Sequence, residues 1–258
     1  MMKKTVARLG QHFLIHRWAA AKLAHAAMPK ENETIVEIGP GKGVLTRELL
    51  ALGKVIAIEK DPSLVAFLRD AFQAEIASGR LTLIESDVRD VSPEKLHLER
   101  YVVAANIPYY ITGEIIRSFL ESGMPPRAMA LLVQKEVAQR IVSETESILS
   151  ISVKVYGTPK LIAKVSRTHF SPPPSVDSAI LLIDSVSKRF FSDIAEKDFF
   201  TLVRAGFASK RKTISNNLAA AFGKERALRA LERAGIAANA RAETIHAEGW
   251  KALAKALA

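Results

Sequence analysis

The tetrapeptide Asn106-Ile107-Pro108-Tyr109 carries the groups needed to hold the amino group of an aromatic base. Such a nitrogen is a poor nucleophile, because its lone pair is delocalised into the ring. Two acceptors on its hydrogens would favour a pyramidal geometry, and the Asn106 side-chain oxygen and a backbone carbonyl next to Pro108 are two acceptors. Tyr109 could stack on a base drawn out of its helix or loop. The pattern indicates chemistry at the amino group of an unstacked base, and a plain turn is the alternative.

A glycine-rich turn, Glu37–Gly43, follows the first predicted strand. Doubly wound α/β folds bind ligands at this position, and Gly39 and Gly41 allow the backbone to approach a ligand closely. Dinucleotide-binding proteins have a similar turn. Here Val44 occupies the position of their third glycine, where a bulky side chain opposes the close packing that their fingerprint requires. The turn therefore disfavours hydride chemistry.

Two acidic residues end the next two predicted strands. Glu59 is placed to accept hydrogen bonds from both hydroxyls of a ribose, and Asp87 could hold the amino group of an adenine. Taken singly, each could instead cap the following helix. Together with Gly39 and Gly41 they suit an adenosyl group, and no phosphate-binding lysine motif of the Walker type is present. The pattern predicts S-adenosylmethionine as the cofactor, with S-adenosylhomocysteine as the product, and no metal.

Short apolar runs that alternate with helical patterns must position these residues. Predicted strands are 34–38, 54–58, 81–84, 101–105, 128–133, 151–156, 161–165 and 179–183, and predicted helices between them are 44–51, 62–72, 113–121 and 134–142. The alternation predicts an α/β fold with a mainly parallel, doubly wound sheet, and the last three strands predict an antiparallel edge. Four predicted helices follow residue 185: 198–208, 213–222, 224–234 and 249–257. We therefore predict a catalytic domain over residues 1–185 and a small all-helical domain over 186–258.

Composition points to a polyanionic partner. The 258 residues carry 37 Lys and Arg against 27 Asp and Glu, a formal charge of +10. Such a surplus favours nucleic acid, although a membrane surface would use it similarly. No run approaches the ~20 apolar residues of a membrane span, no signal peptide is visible, and cysteine is absent. We expect a cytoplasmic protein that does not associate with a membrane.

Over nearly its whole length the sequence resembles the ribosomal-RNA adenine N6-dimethyltransferases, specifically the small-subunit members. The shared motifs are Leu9–Leu14, Glu37–Gly43 with Leu45-Thr46, Ile58–Asp61, Ser86-Asp87, Asn106–Tyr109, Gln134–Ala138 and Phe170–Ala179. The resemblance implies a Rossmann-like class I methyltransferase fold. It also implies a monomer that transfers two methyl groups to each of two adjacent adenines near the 3′ end of small-subunit (16S) rRNA, within a pre-ribosomal particle.

The resemblance also assigns residues. Contacts to S-adenosylmethionine are implied for His12, Leu14, Gly39, Glu59, Asp87 and Asn106, with Asn106 also facing the target amine. Phe170 resembles a second aromatic wall of the adenine pocket, opposite Tyr109. A basic segment resembles the RNA-contacting part of the family's C-terminal domain, and its cationic residues are Arg204, Lys210, Arg211 and Lys212.

The sequence departs from the family pattern at a few positions. Glu146-Ser147-Ile148 stand where a Tyr-Gly pair often precedes the Leu-Ser segment, Lys154 replaces a frequent Gln, and Tyr110 replaces a frequent Asn. Two other functions stay open on the sequence. One is an RNA-binding assembly factor without transferase activity, and the other is methylation of large-subunit rRNA or of adenine in DNA.

Overall fold

The computed structural model describes residues 12–257, which form two compact units. The first contains the described residues up to Ala138 together with Thr158–Val186, and the second contains Gln139–Gly157 and the chain from Ser187 onwards. The predicted catalytic domain over residues 1–185 includes residues 139–157. The structure instead groups this segment with the C-terminal helices, so the second unit is built from two stretches of chain.

The first unit is an α/β layer structure. Up to β6 its elements are β1 (Phe13–Leu14), α1 (Arg17–Ala27), β2 (Thr34–Ile38), α2 (Val44–Leu50), β3 (Val55–Glu59), α3 (Pro62–Ala71), α4 (Gln73–Ala77), β4 (Leu81–Glu85), β5 (Tyr101–Asn106), α5 (Thr112–Glu121) and β6 (Ala128–Gln134). Helix α6 (Lys135–Val142) then crosses from the first unit into the second, which α7 (Ile148–Lys154) continues. The chain returns to the first unit in β7 (Thr158–Val165), β8 (Phe170–Ser171) and β9 (Ser178–Asp184).

Seven strands form one sheet in the order β4-β3-β2-β5-β6-β9-β7, and β1 pairs with β8 in a separate two-stranded ladder. The first five strands of this order are parallel, whereas β9 runs antiparallel to both β6 and β7. The prediction of a mainly parallel sheet with an antiparallel edge is therefore confirmed.

The central strands are apolar because helices cover both faces of a parallel sheet. In β5 every residue from Tyr101 to Ala105 is buried, and all of β6 up to Val133 is buried as well. Helix α1 contributes Ala19, Ala20 and Leu23 to this core. Burial of these strands fixes their register, so the residues at their carboxyl ends have defined positions.

The second unit is helical. After α6 and α7 it contains α8 (Glu196–Gly206), α9 (Ile214–Phe222), α10 (Lys224–Arg233) and α11 (Ala247–Leu257). The prediction of a strand over 151–156 was wrong, because this segment lies in α7 and the turn after it. The Ser147 hydroxyl caps the helix by accepting from the Ser150 backbone N–H, and the Ser150 hydroxyl accepts in return from the Ser147 N–H. This capping box starts a helix despite the β-branched residues that follow.

Two of the departures from the family pattern contact each other in the second unit. The Lys154 ammonium lies 2.8 Å from Oε1 of Glu146, whose side chain is 1% exposed. The Ser150 hydroxyl donates to the other carboxylate oxygen of Glu146 at 2.7 Å. A buried carboxylate needs such partners, so an acid at 146 and a cation at 154 belong together.

Within the described residues, no helix is long and apolar enough to cross a membrane.

Candidate active site

Four strand ends meet at one edge of the first unit's sheet. Strand β2 lies between β3 and β5, so the chain winds away from β2 in opposite directions. A crevice forms at such a point outside the carboxyl ends of the strands. Gly39 directly follows β2, and the other three strands bring Glu59, Asp87 and Asn106 to the same edge. The four residues singled out in the sequence are thus neighbours in space.

The turn after β2 depends on glycine. Gly39 and Gly41 have φ angles of +66° and +56°, in the left-handed region that favours glycine. A Cβ atom added to Gly41 would lie 3.0 Å from the ring of Phe13. A side chain at 41 would therefore strain the backbone and press on a ring that lines the crevice.

Glu59, the last residue of β3, is held rigidly beside this turn. Its Oε2 accepts from the Gly41 N–H at 3.2 Å, and its Oε1 accepts from the N–H groups of Lys60 and Asp61 at 2.8 and 3.0 Å. The residue is only 7% exposed, yet it lines the cavity between the glycine turn and the end of β5, which we call the main cavity of the site. The carboxylate is thus oriented before any ligand binds, which lowers the ordering cost of binding.

Glu37 lies in β2 beneath the glycine turn and is fully buried. Burial raises its pKa to about 8; the Thr46 hydroxyl opposes the shift and the Glu59 charge adds to it. Neither carboxylate oxygen makes a hydrogen bond of normal geometry to any of residues 12–257, and the Thr46 hydroxyl is no exception. Glu37 therefore carries a proton at pH 7.

Asp87 follows β4 and forms ion pairs with two cationic side chains. Arg89 donates to it at 2.6 Å and the Lys60 ammonium at 2.8 Å. The hydrogen bonds from Arg89 hold the pKa of Asp87 well below its usual range, with Lys60 adding to the effect against partial desolvation. Asp87, Lys60 and Arg89 line a second cavity that also touches Gly39 and Glu59. This carboxylate stays ionised and presents acceptor oxygens at the rim.

Asn106 ends β5 and faces the main cavity. The residues that line this cavity are His12, Phe13, Gly39, Gly41, Glu59, Leu64, Asn106, Ile107, Pro108 and Tyr109. The Asn106 amide nitrogen donates to the His12 carbonyl at 3.1 Å. That bond fixes the carboxamide, so its oxygen is the atom left to accept a further hydrogen bond. One cavity therefore joins the glycine turn, Glu59 and the tetrapeptide Asn106–Tyr109.

Tyr109 is a half-buried wall of this cavity. Its hydroxyl shares a 2.8 Å hydrogen bond with the Ser178 hydroxyl, and its ring stacks on His12 with centroids 5.9 Å apart. Burial raises the pKa of Tyr109, with Ser178 opposing the shift, so the hydroxyl is neutral at pH 7. The contacts with Ser178 and His12 hold the ring in place, so a base in the cavity could stack on it.

The structure places the remaining predicted residues differently. Leu14 is 6% exposed and lines a small cavity that adjoins the glycine turn. Phe170 pairs with Leu14 in the β1–β8 ladder, but it is 2% exposed and packs in the hydrophobic core. The expected second aromatic wall is therefore not in the crevice in this conformation. Leu9–Gln11, the start of the N-terminal motif, lies outside the described residues.

Sequence reasoning missed several residues of the site. Phe13 lines the main cavity, Lys60 and Arg89 hold Asp87, and Ser178 holds Tyr109. Phe13, Lys60 and Arg89 lie within two residues of a predicted site residue, so local sequence could have suggested them. Ser178 lies 69 positions from Tyr109, and only the packing of the sheet reveals it.

The predicted RNA-contacting residues lie on the second unit and are exposed. Arg204 is on α8, and Lys210, Arg211 and Lys212 are in the turn between α8 and α9. The buried Asn217 side chain steadies the start of this turn by donating to the carbonyls of Gly206 and Ser209. The turn therefore presents its cations on a fixed backbone.

A cleft of about 630 Å³ opens beside this turn, within the second unit. Lys210 and Lys212 line it together with Arg140 and Arg241, whereas Arg204 and Arg211 are outside the lining. Arg241 donates to the Lys210 carbonyl at 2.9 Å, which ties the far side of the cleft to the basic turn. Sequence reasoning missed Arg140 and Arg241 because neither belongs to a basic run.

A family model described as "Ribosomal RNA adenine dimethylase" matches residues 2–258. The chain belongs to this family. Among its relatives, the ribosomal RNA small subunit methyltransferase A of Dehalococcoides mccartyi (strain 195) is 43% identical over 95% of this chain and 86% of its own length. The protein of the same name from Moorella thermoacetica is 37% identical over 96% of this chain and 91% of its own.

Solved structures of similar proteins agree with this membership. A dimethyladenosine transferase from Plasmodium falciparum gives a TM-score of 0.80 at 26% identity, covering 94% of this chain and 96% of its own. The 23S rRNA methyltransferase ErmE gives 0.76 at 26% identity, covering 95% and 99%. The predicted Rossmann-like class I fold, with helices at the C-terminus, is therefore confirmed for this family member.

Proposed function

We propose that this family member transfers methyl groups from S-adenosylmethionine to N6 of two adjacent adenines near the 3′ end of small-subunit rRNA. The observation that carries the proposal is the shared cavity. Asn106, Pro108 and Tyr109 line the same space as Gly39, Gly41 and Glu59. A methyl donor of the nucleoside type, held by Gly39, Gly41 and Glu59, would therefore lie in the same cavity as a target amine held by Asn106 and its neighbours.

The residues around the glycine turn suit an adenosyl cofactor. Glu59 has its carboxylate oriented by three backbone N–H groups and can accept from ribose hydroxyls. Asp87 can accept a hydrogen bond from an adenine amino group. To do so, one of its carboxylate oxygens must first lose its hydrogen bond to Lys60 or Arg89. Gly39 and Gly41 leave room for the ligand against the backbone. When bound, the cofactor supplies an electrophilic methyl group on a sulfonium sulfur.

The tetrapeptide supplies the other half of the reaction. The Asn106 oxygen and the carbonyl next to Pro108 accept the two amine hydrogens, which gives the nitrogen a usable lone pair. Tyr109 stacks on the extruded adenine and fixes its plane. The nitrogen would gain the methyl group as the bond from methyl to sulfur breaks, with S-adenosylhomocysteine as the other product, and would afterwards lose a proton to solvent. Catalysis then rests on positioning and on amine activation, with no covalent enzyme intermediate.

The small subunit is the preferred target because the relatives at 37–43% identity are named as small-subunit enzymes. The structural likeness to a 23S rRNA methyltransferase, at 26% identity, keeps the large subunit as the alternative. The exposed cations Arg204, Lys210, Arg211 and Lys212 would contact rRNA phosphates, and the net charge of +10 favours such contacts. We propose further that the enzyme acts as a cytoplasmic monomer on a pre-ribosomal particle.

The test is to incubate the protein with labelled S-adenosylmethionine and immature small subunits, and to analyse the RNA by mass spectrometry. Wild-type protein should produce N6,N6-dimethyladenine at two adjacent positions. Asn106→Ala should retain particle binding and lose at least about 100-fold in turnover, since removal of one group that stabilises a transition state typically costs this much. Gln73→Ala, which removes a carboxamide from a helix away from the crevice, is the control and should remain active.

Each other result has a definite meaning. Wild-type protein that binds particles and leaves no methyl groups would replace the proposal with the assembly-factor hypothesis. Methylation of immature large subunits or of DNA, without methylation of small subunits, would show that the substrate is large-subunit rRNA or DNA instead. An Asn106→Ala variant as active as Gln73→Ala would contradict the proposed role of the carboxamide.

A further inference from the structure

Three aromatic side chains of the first unit form a cluster that the proposed mechanism does not use. The rings of His16 and His169 are stacked with centroids 4.1 Å apart and an interplanar angle of 21°. Trp18 meets His169 edge-on, with centroids 5.9 Å apart. We call these three side chains the aromatic platform.

The platform presents apolar surface to solvent. Trp18 is 48% exposed and the neighbouring Ile15 is 53% exposed. Trp18 is not required for the core, because α1 buries its other face through residues such as Ala20 and Leu23. An exposed apolar patch often marks a binding surface.

The surroundings of the platform are basic. Helix α1 contains no acidic residue, and Lys22 lies one turn after Trp18, so the two side chains share a face of the helix. Arg17 is 88% exposed at its side chain, although it pairs with Glu48 at 2.8 Å. The exposed Arg167 begins the short turn that ends at His169. Aromatic rings flanked by cations are the combination that proteins use to bind single-stranded nucleic acid.

The two histidine rings can stack on each other without charge repulsion when at least one of them is neutral. Desolvation and the neighbouring His16 lower the pKa of His169, so this ring is neutral at pH 7. Two imidazoles can therefore remain stacked without mutual repulsion. The platform offers flat surfaces with polar edges, which suit a nucleobase better than an aliphatic side chain.

A short backbone ladder joins the platform to the main cavity. The Ile15 N–H donates to the His169 carbonyl at 2.9 Å, and the next pairs along are Leu14 with Phe170 and Phe13 with Ser171. Phe13 in turn lines the cavity where the amine would be held. The platform therefore lies within a few residues of the cavity and is rigidly connected to it.

We propose that the aromatic platform stacks on an unpaired base of the substrate RNA that flanks the target adenines. The inference rests on the proposed function, because it takes RNA as the ligand of this face. Stacking on a ring tolerates any base, so the platform would add affinity and hold the strand in place without reading sequence. Sequence selection would be left to the cavity and to the shape of the RNA.

The tryptophans of the chain provide a direct assay. The sequence has two, and Trp250 is fully buried in the second unit, so a ligand that stacks on the surface should affect Trp18 alone. Titration with a short single-stranded oligoadenylate should quench emission in wild-type protein and leave Trp18→Phe unquenched. In a separate anisotropy titration, Trp18→Ala should bind the oligonucleotide about tenfold more weakly, and Trp18→Phe should recover most of the loss.

Phe67→Ala is the matched control, because Phe67 is also 48% exposed and lies on α3. It should bind like wild-type protein. The proposal is overturned if saturating RNA leaves the emission unchanged, or if Trp18→Ala binds as tightly as Phe67→Ala. A change in Trp18 emission with purified ribosomal proteins, but not with RNA, would also overturn it and would make the platform a protein contact.

The methylation assay separates this inference from the proposed function. With immature small subunits, Trp18→Ala should raise KM about tenfold and leave kcat unchanged. An inactive wild-type protein would refute the proposed function, and the fluorescence titration would still show whether RNA stacks on the aromatic platform. An active wild-type protein with an unchanged KM in Trp18→Ala would refute the platform alone.

Discussion

Replacing the buried Glu37 by glutamine should change how the stability of the protein depends on pH. Glu37 has a folded-state pKa of about 8, against 4.5 when it is free in solution. Because the folded value is the higher one, its contribution to stability is fully present below pH 4.5 and is lost as the pH rises through about 8. Glutamine has the same shape and does not titrate, so the variant isolates this contribution.

The magnitude follows from the two pKa values. At 1.36 kcal/mol per unit, the contribution of Glu37 falls by about 2.5 kcal/mol between pH 5 and pH 7. The free energy of unfolding of wild-type protein, relative to Glu37→Gln, should therefore decrease by about this amount over the interval. Because the burial is complete, solvent screening should reduce the effect little.

The assay is urea unfolding followed by circular dichroism at pH 5, 6, 7 and 8, with wild-type protein and Glu37→Gln measured side by side. Glu31→Gln serves as the control for replacing an acid by its amide, because Glu31 is exposed on the loop before β2. A difference between wild-type protein and Glu37→Gln that does not change with pH would show that Glu37 is ionised in the folded protein and that the reasoning is wrong.

Two further substitutions test other contacts. Gly41→Ala should destabilise the protein by about 1–2 kcal/mol, since alanine would have to adopt a left-handed φ. The variant should also bind S-adenosylmethionine more weakly, because the added methyl group would displace Phe13. A calorimetric titration that gives the wild-type affinity would contradict this. Lys154→Met should cost about 3 kcal/mol, because it removes the ammonium group from the buried Glu146 carboxylate and leaves it only the Ser150 hydroxyl at 2.7 Å and the His246 ring nitrogen at 3.3 Å. The double variant Glu146→Gln with Lys154→Met should recover most of that loss in urea unfolding, and no recovery would show that the two residues are not coupled.

Much of the fold could be predicted because buried parallel strands have a clear sequence signature. The predicted strand 34–38 coincides with β2, and 101–105 differs from β5 only by Asn106. The predicted helix 62–72 begins at the same residue as α3, where Pro62 occupies the first helical position and the Asp61 side chain accepts from the Ser63 N–H as an N-cap. At these places, local chemistry and tertiary packing favour the same structure.

The errors arose where local preference and packing disagree. Ile151-Ser152-Val153 alternates apolar and polar residues as a strand does, but the Ser147 cap and the buried Glu146–Lys154 pair hold it in a helix. Helix α1 was missed, although its alanines and Leu23 recur at helical spacing. Phe170 is a different case: its place in the adenine pocket stays a prediction from resemblance, and in the structure its side chain packs in the hydrophobic core.

The ladder between β1 and β8 has a consequence for the order in which the protein is made. His12 contacts the Pro172 carbonyl through its ring nitrogen at 2.8 Å, across 160 positions of sequence. Asn106 is in turn hydrogen-bonded to the His12 carbonyl, so the Asn106 carboxamide is held by a residue whose own anchor is synthesised much later. A nascent chain that has emerged only as far as β6 already holds Gly39, Glu59 and Asn106 but lacks this anchor. The ribosome must therefore complete about two thirds of the chain before the enzyme that would modify other ribosomes has a finished pocket.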